Sequence, residues 1–236
     1  MGPAGTVGYH PGFSFNGRAY MKLKVQGRGG HGSSPHLAND AIVAASHFVT
    51  AAQTIISRRL SPFDIGVITI GSFDGKGTFN VIKDSGTFNV IKDSVELEGD
   101  VRYMTNETKE TIEREMKRIV RGIEEEFGVK CELTYTPDYP PLYNDPELTA
   151  KVAASLRSMN DPDIKEVREF PALAPSEDFA YYAEKFPACF FYIACTPKGV
   201  KDPYFNHHPK FDIDEDALLV AAKAVGQVVC SYYELD

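Results

Sequence analysis

From Ser94 to Met104 the chain alternates without a break: Val95, Leu97, Val101 and Tyr103 fall on one side, Glu96, Glu98, Asp100 and Arg102 on the other. A period of two with one apolar and one charged face describes a strand in a sheet that is wet on one side only, so something apolar must cover its other side. Two segments can supply that cover. Asn39–Arg59 sets Ala41, Ala45, Val49, Ala52 and Ile56 on one helical face, with Asn39 or Asp40 as N-cap and Arg58 and Arg59 at the negative pole of the helix dipole. A second helix runs from about Asn106 to Phe127, with Ile112, Met116, Ile119, Val120, Ile123 and Phe127 as its stripe. Thr105 or Asn106 caps it and Gly128 stops it. Arg18–Arg28, Asp64–Phe73 and Lys130–Thr136 read as further strands. The order β-α-β-β-α-β predicts a ferredoxin-like unit over roughly residues 16–136: four antiparallel strands with two helices on one face.

Two segments interrupt that pattern. Gly27–His36 (GRGGHGSSPH) is too rich in Gly, Ser and Pro for either regular element and is expected to be a loop. Gly77–Ser85 and Gly86–Ser94 are the same nine residues, GTFNVIKDS. Nine is odd, so keeping both copies in one strand would exchange its inward and outward faces; the extra copy is expected in a loop, where insertions cost little. A second binding loop is the functional alternative. Beyond the unit, Pro137–Asp145 (PDYPPLYND) reads as a linker. Helices at Pro146–Met159, Ser176–Lys185 and Asp214–Tyr232 and a strand at Ala188–Ala194 then alternate as in an α/β layer. One evident strand makes no sheet, so Phe190, Phe191, Tyr192 and Ile193 are expected on an unpaired, exposed strand.

Composition removes several classes of function. The net charge of −8 over 236 residues argues against nucleic-acid phosphate as a partner. No apolar run approaches the roughly 18–20 residues of a membrane span, and the opening residues lack a signal-peptide pattern. Cys131, Cys189, Cys195 and Cys230 show no CxxC spacing, which points to reduced, mostly buried thiols of a cytoplasmic protein rather than a zinc site.

Four places carry candidate chemistry, each with a plainer structural reading beside it. His31 in Gly29-Gly30-His31-Gly32 can donate to an oxyanion where glycines admit a ligand; otherwise it is an incidental histidine in a flexible turn. One of His207 and His208 can ligate a metal, since adjacent side chains diverge; otherwise they are a surface pair. Ser176-Glu177-Asp178-Phe179 can serve a site, or Ser176 can simply be a helix N-cap. Arg102, with Asn89 or Asn80 in the preceding loop, can hold a carboxylate; otherwise it pairs across strands with Glu or Asp.

In sequence order, GTVGYHPG, GRGGHGSSPH, NVIKDSVELEGDVR, PSEDF and HHPKFDIDEDAL resemble the zinc- or manganese-dependent amidohydrolase and aminoacylase family, which includes hippurate hydrolases, N-acyl-amino-acid deacetylases and carboxypeptidase G. The resemblance implies an α/β fold with an α+β lid: a ferredoxin-like dimerisation domain (16–136) inserted in the C-terminal remnant of an α/β metallohydrolase catalytic domain (1–15 and 137–236). It implies that His31 polarises the scissile carbonyl, that Asn89 and Arg102 bind the substrate carboxylate with Asn80 as rival to Asn89, that His207 is the last ligand of Zn²⁺ or Mn²⁺, and that Glu177 lies near the site in a less sharply defined role. It further implies a homodimer acting on small N-acyl amino acids or peptides. The family's CGHDGH-like ligand cluster and its P-A-E-E segment have no counterpart here. The chain is therefore expected to be a truncated form, inert by itself; the alternative is a non-catalytic dimerisation or ligand-binding module.

Overall fold

The structure, a computed structural model, describes residues 2–75 and 89–234. Numbered along the chain, its strands are β1 (Thr6–Tyr9), β2 (Gly12–Phe15), β3 (Gly17–Gln26), β4 (Gly30–His31), β5 (Gly66–Asp74), β6 (Val90–Ile91), β7 (Ser94–Tyr103), β8 (Lys130–Tyr139), β9 (Leu142–Asn144), β10 (Glu166–Glu169) and β11 (Phe191–Ile193). Its α-helices are α1 (Ala41–Arg58), α2 (Asn106–Phe127), α3 (Pro146–Ser158), α4 (Ala180–Ala183) and α5 (Asp216–Glu234). Internal contacts divide the chain into two compact units: residues 1–15, 142–173 and 178–236 form the first, residues 16–141 and 174–177 the second.

In the second unit β5, β7, β3 and β8 lie side by side in that order, every neighbouring pair antiparallel. β3 and β7 run in unbroken register from Gly17 opposite Tyr103 to Gln26 opposite Ser94. One face of both strands is therefore apolar: Ala19, Met21, Leu23 and Val25 meet Val95, Leu97, Val101 and Tyr103, and helices α1 and α2 pack on it through Phe48, Ile55, Ile112 and Met116. Tyr20 lies on the other, polar face. The α1 stripe is centred on Ala44, Ala45, Phe48, Ala52 and Ile55, with Val49 and Ile56 at its margin. Asp40 caps α1 by accepting the N–H groups of Ile42 and Val43, while Asn39 turns its amide to the Phe127 carbonyl. Thr105 caps α2, and Gly128 ends it in the left-handed conformation (φ 61°), where a side chain would be strained. The linker anticipated at Pro137–Asp145 is mostly strand. β8 continues to Tyr139 with Pro137 opposite Ala19, which is tolerated because β8 is an edge strand and a register shift falls beside it.

The first unit corrects the expectation of a lone strand. β1 joins β10 in parallel and β11 antiparallel, making a three-stranded sheet. β1 and β10 are four residues each, too short for alternation to show. Val7 on the central strand is fully buried and shares a core with Val152 and Leu156 of α3 and with Val220 and Ala224 of α5. Phe190, Phe191, Tyr192 and Ile193 are accordingly half-buried instead of exposed. β2 pairs with β9. Asn144, fully buried at the end of β9, donates to the carbonyls of His10 (2.8 Å) and Phe190 (2.9 Å) and accepts the Phe190 N–H at 2.6 Å. Three chain segments are tied by that one amide.

Cys131, Cys189 and Cys195 are free and half-buried, and Cys230 is exposed, so the thiols are less buried than composition suggested. Among the described residues no helix is long and apolar enough to cross a membrane.

Candidate functional site

The glycine-rich loop is held, not flexible. Gly29 donates its N–H to the Asp93 carboxylate (2.7 Å) and Gly27 to the Asp93 carbonyl (2.7 Å). Arg28 and Asn39 exchange backbone hydrogen bonds, and Gly32 donates to the Asn89 carbonyl at 2.7 Å. These bonds bring backbones too close for side chains: a Cβ on Gly27 would stand 2.1 Å from the Asn39 oxygen, one on Gly32 2.8 Å from the Asn89 oxygen. The glycines thus serve close approach.

His31 ends β4, paired with Val90 of β6, and its ring is exposed. Its Nδ1 accepts the Ser33 N–H at 3.2 Å and lies 2.8 Å from the Ser33 hydroxyl. Asn89, also exposed, precedes Val90 and is thereby set beside His31. The second copy of the nonapeptide thus contributes β6 and the start of β7 from Asn89 onward. Asn80 and the whole first copy lie outside the described residues.

Arg102 stands on the polar face of β7. Its Nε donates to Asp100 Oδ2 at 2.6 Å and its Nη1 to the Ser176 hydroxyl at 2.8 Å. Register sets Arg18 directly opposite Arg102, a like-charge pair that would be unfavourable alone. Asp100 resolves it by giving its other oxygen to Arg18 Nε at 2.7 Å, which also raises the Arg18 pKa. The plain reading of Arg102 as a cross-strand ion pair is therefore replaced by a same-strand carboxylate shared between two arginines.

Ser176 is not a helix N-cap. The helix expected from Ser176 to Lys185 shrinks to α4, whose cap position is Phe179 with no side-chain bond. Instead, residues 174–177 lie in the second unit, where the Asn16 N–H reaches the Pro175 carbonyl (3.0 Å), the Asn16 amide reaches the Ala174 carbonyl (3.0 Å), and Arg102 reaches Ser176. Glu177 follows, half-buried and engaged with a partner of its own. Asp100 was legible as a partner of Arg102 from its position two residues away on the same face. Ser176 was signalled only as part of the Ser176–Phe179 stretch and not as a partner of Arg102, and nothing in the sequence signalled Asn16, Asp93 or Ser33.

His207, in the first unit, is exposed and has φ 73°, a region that a histidine enters only at a cost. The neighbouring His208 stacks on Tyr204 with ring centroids 4.1 Å apart and accepts the Lys210 N–H. Among the described residues no group of three or more His, Cys, Asp or Glu side chains is placed to hold a metal ion. A zinc or manganese site takes about three or four protein donors, so one exposed imidazole does not fit one.

Comparison with known proteins gives this arrangement its context. A family model described as peptidase family M20/M25/M40 matches residues 2–231. The chain is 34% identical over 233 residues to YhaA of Bacillus subtilis (strain 168), named as an amidohydrolase, covering 99% of this chain and 56% of that protein. To an N-acetyldiaminopimelate deacetylase of Streptococcus thermophilus (strain CNRZ 1066) it is 34% identical over 214 residues, 90% of this chain and 52% of the relative. Among solved structures, one from methicillin-resistant Staphylococcus aureus, described as an aminohydrolase, superposes with TM-score 0.86 and 55% identity over 98% of this chain and 56% of that one. The Bacillus subtilis YXEP protein, described as a dinuclear metal-binding peptidase, shares the fold at TM-score 0.69 and 24% identity, covering 96% of this chain and 52% of its own. The chain spans about half the length of the curated relatives it matches.

Proposed function

Because the chain belongs to peptidase family M20/M25/M40, we propose that it serves metal-dependent hydrolysis of an amide bond in N-acyl amino acids or small peptides. The observation that carries this reading is the Arg102 guanidinium, whose fork Asp100 and Ser176 hold in a fixed orientation on the polar face of β7, as a carboxylate clamp requires. Arg102 with Asn89, or with Asn80 as its rival, holds the carboxylate of the substrate's amino-acid part. His31 donates to the scissile carbonyl, where one preorganised donor is worth about 3–4 kcal/mol in other oxyanion holes. Glu177 lies near the site, and His207 would be one ligand of Zn²⁺ or Mn²⁺, whose other ligands have no counterpart among the described residues. The chemistry such an ion would supply is Lewis-acid polarisation of the amide carbonyl and a lowered pKa for water. No group placed to hold that ion occurs among the described residues, and on this reading the chain alone is inert.

Residues 16–136 are assigned as a ferredoxin-like lid and dimerisation domain, and residues 1–15 and 137–236 as parts of the α/β catalytic domain. The outer strand β5 exposes Val67 and Phe73, and α1 exposes Ile42 and Val43. Among the described residues this edge is unpaired, and such an edge beside apolar side chains is suited to a second copy of the chain. Light scattering is expected to give a dimer; a monomer at micromolar concentration refutes the pairing. One observation favours a second reading, a non-catalytic dimerisation or ligand-binding module: the absence of a metal-holding group among the described residues.

Two measurements test the proposal. Titration with N-acetyl amino acids should move the Arg102 Nε–H resonance saturably, should fail with the corresponding primary amides, and should vanish in Arg102→Met. No saturable response in the wild-type chain overturns the carboxylate site. Purified chain with added Zn²⁺ or Mn²⁺ should release no amino acid; turnover that survives purification and is lost in His207→Ala overturns its inertness.

A further inference from the structure

The ring of His31 has two possible neutral forms, and only the one with its proton on Nε2 can offer a donor at that nitrogen. The Ser33 backbone N–H stands 3.2 Å from Nδ1. An amide N–H donates and never accepts, so Nδ1 must carry the lone pair. The Ser33 hydroxyl, 2.8 Å from the same nitrogen, then donates as well. With Nδ1 accepting, the proton of the neutral ring belongs on Nε2. The backbone beneath the ring is fixed independently by the pairing with β6, by Gly32 on Asn89, and by the Ser34 N–H on the His31 carbonyl at 2.9 Å.

From these contacts we propose that Ser33 is a positioning residue: it sets the tautomer and plane of the His31 imidazole and makes Nε2–H a fixed outward donor. The proposal deepens, and for its chemical meaning rests on, the reading of His31 as the group that acts on the substrate carbonyl. It has a direct mechanistic consequence. A neutral ring protonated at Nε2 can stabilise negative charge growing on a carbonyl oxygen, but that nitrogen cannot take a proton from water. His31 is thereby assigned as an electrophilic group and not a general base. The serine is local, two residues along the chain, so the ring is organised before any ligand arrives and no reorganisation is needed when charge develops.

The test uses the chain itself, labelled with ¹⁵N-histidine, at a pH where imidazole is neutral. Long-range ¹H–¹⁵N correlation should show His31 Nδ1 as a lone-pair nitrogen and Nε2 as protonated in the wild type and in Ser33→Thr. Ser33→Pro removes both the N–H and the hydroxyl, and its Nδ1 resonance should move toward the exchange average of the two tautomers. Ser33→Ala keeps the N–H and should move part of the way. A wild-type ring protonated at Nδ1 overturns the proposal, as does a Ser33→Pro ring indistinguishable from the wild type. If Ser33→Pro does not fold, an unmoved Ser33→Ala resonance overturns it. Failure of the hydrolytic reading shows separately, as loss of the Arg102-dependent ligand response, because the nitrogen shifts report the ring whether or not substrate binds.

Discussion

Replacing Asp100 by asparagine keeps the shape of the side chain and removes the charge that two arginines share. Its oxygens lie 2.7 Å from Arg18 Nε and 2.6 Å from Arg102 Nε, with the three side chains 26–38% exposed. Hydrogen bonds to charged groups contribute about 1.5–3 kcal/mol when buried, and exposed ion pairs about 0.2–1 kcal/mol. At this intermediate exposure about 1 kcal/mol for each contact is reasonable, so Asp100→Asn should cost about 2 kcal/mol. In urea unfolding, a double-mutant cycle of Asp100→Asn with Arg18→Met should give a coupling of about 1 kcal/mol. The ligand response carries the sharper contrast. If Arg102 acted only as a charge, deleting a neighbouring negative group would tighten carboxylate binding. If its fork must be aimed, the same change loosens binding, by roughly fivefold for each 1 kcal/mol of lost orientation. Tighter binding of N-acetyl amino acids by Asp100→Asn, or a coupling below about 0.3 kcal/mol, refutes the aimed-fork argument.

Other perturbations probe the surrounding frame. Asn144→Ala leaves two carbonyls and one N–H without their buried partner and should cost about 3 kcal/mol, read as a lower urea midpoint at unchanged slope. Gly32→Ala puts a methyl group 2.8 Å from the Asn89 oxygen, so the Gly32 amide should exchange much faster with solvent while the amides of β3 and β7 stay protected. Burial pushes the Cys131 thiol up to about 11. An unfolded thiol ionises near about 8.5, so the unfolded state loses its proton first. Stability should therefore be complete below about pH 8.5 and fall as pH rises from there to about 11, and Cys131→Ala should flatten that alkaline slope.

The sequence recorded burial far better than it recorded encounters. In β3, β7 and α2 the apolar positions, Tyr20 apart, face one continuous core, so period and spacing carried most of the description. The sheet of the first unit escaped because β1 and β10 are each too short to display a period. Pro137 misled for another reason: it looked like a strand breaker and is one only where its N–H would be needed. At the site the same division holds. Arg102 and Asp100 were legible together because two residues on one strand share a face. Ser176 reaches Arg102 from 74 residues away, and Asp93 reaches Gly29 from 64, and no local pattern encodes such meetings. The one local trace of a long-range encounter is the glycine spacing in Gly27–Gly32. It was read either as room for a ligand or as a flexible turn, yet Gly27 and Gly32 are the positions where another backbone passes within reach of a missing Cβ. Glycines clustered around a single polar side chain are better read as a demand for close packing around it, which is what gives His31 a fixed backbone on which Ser33 can set its proton.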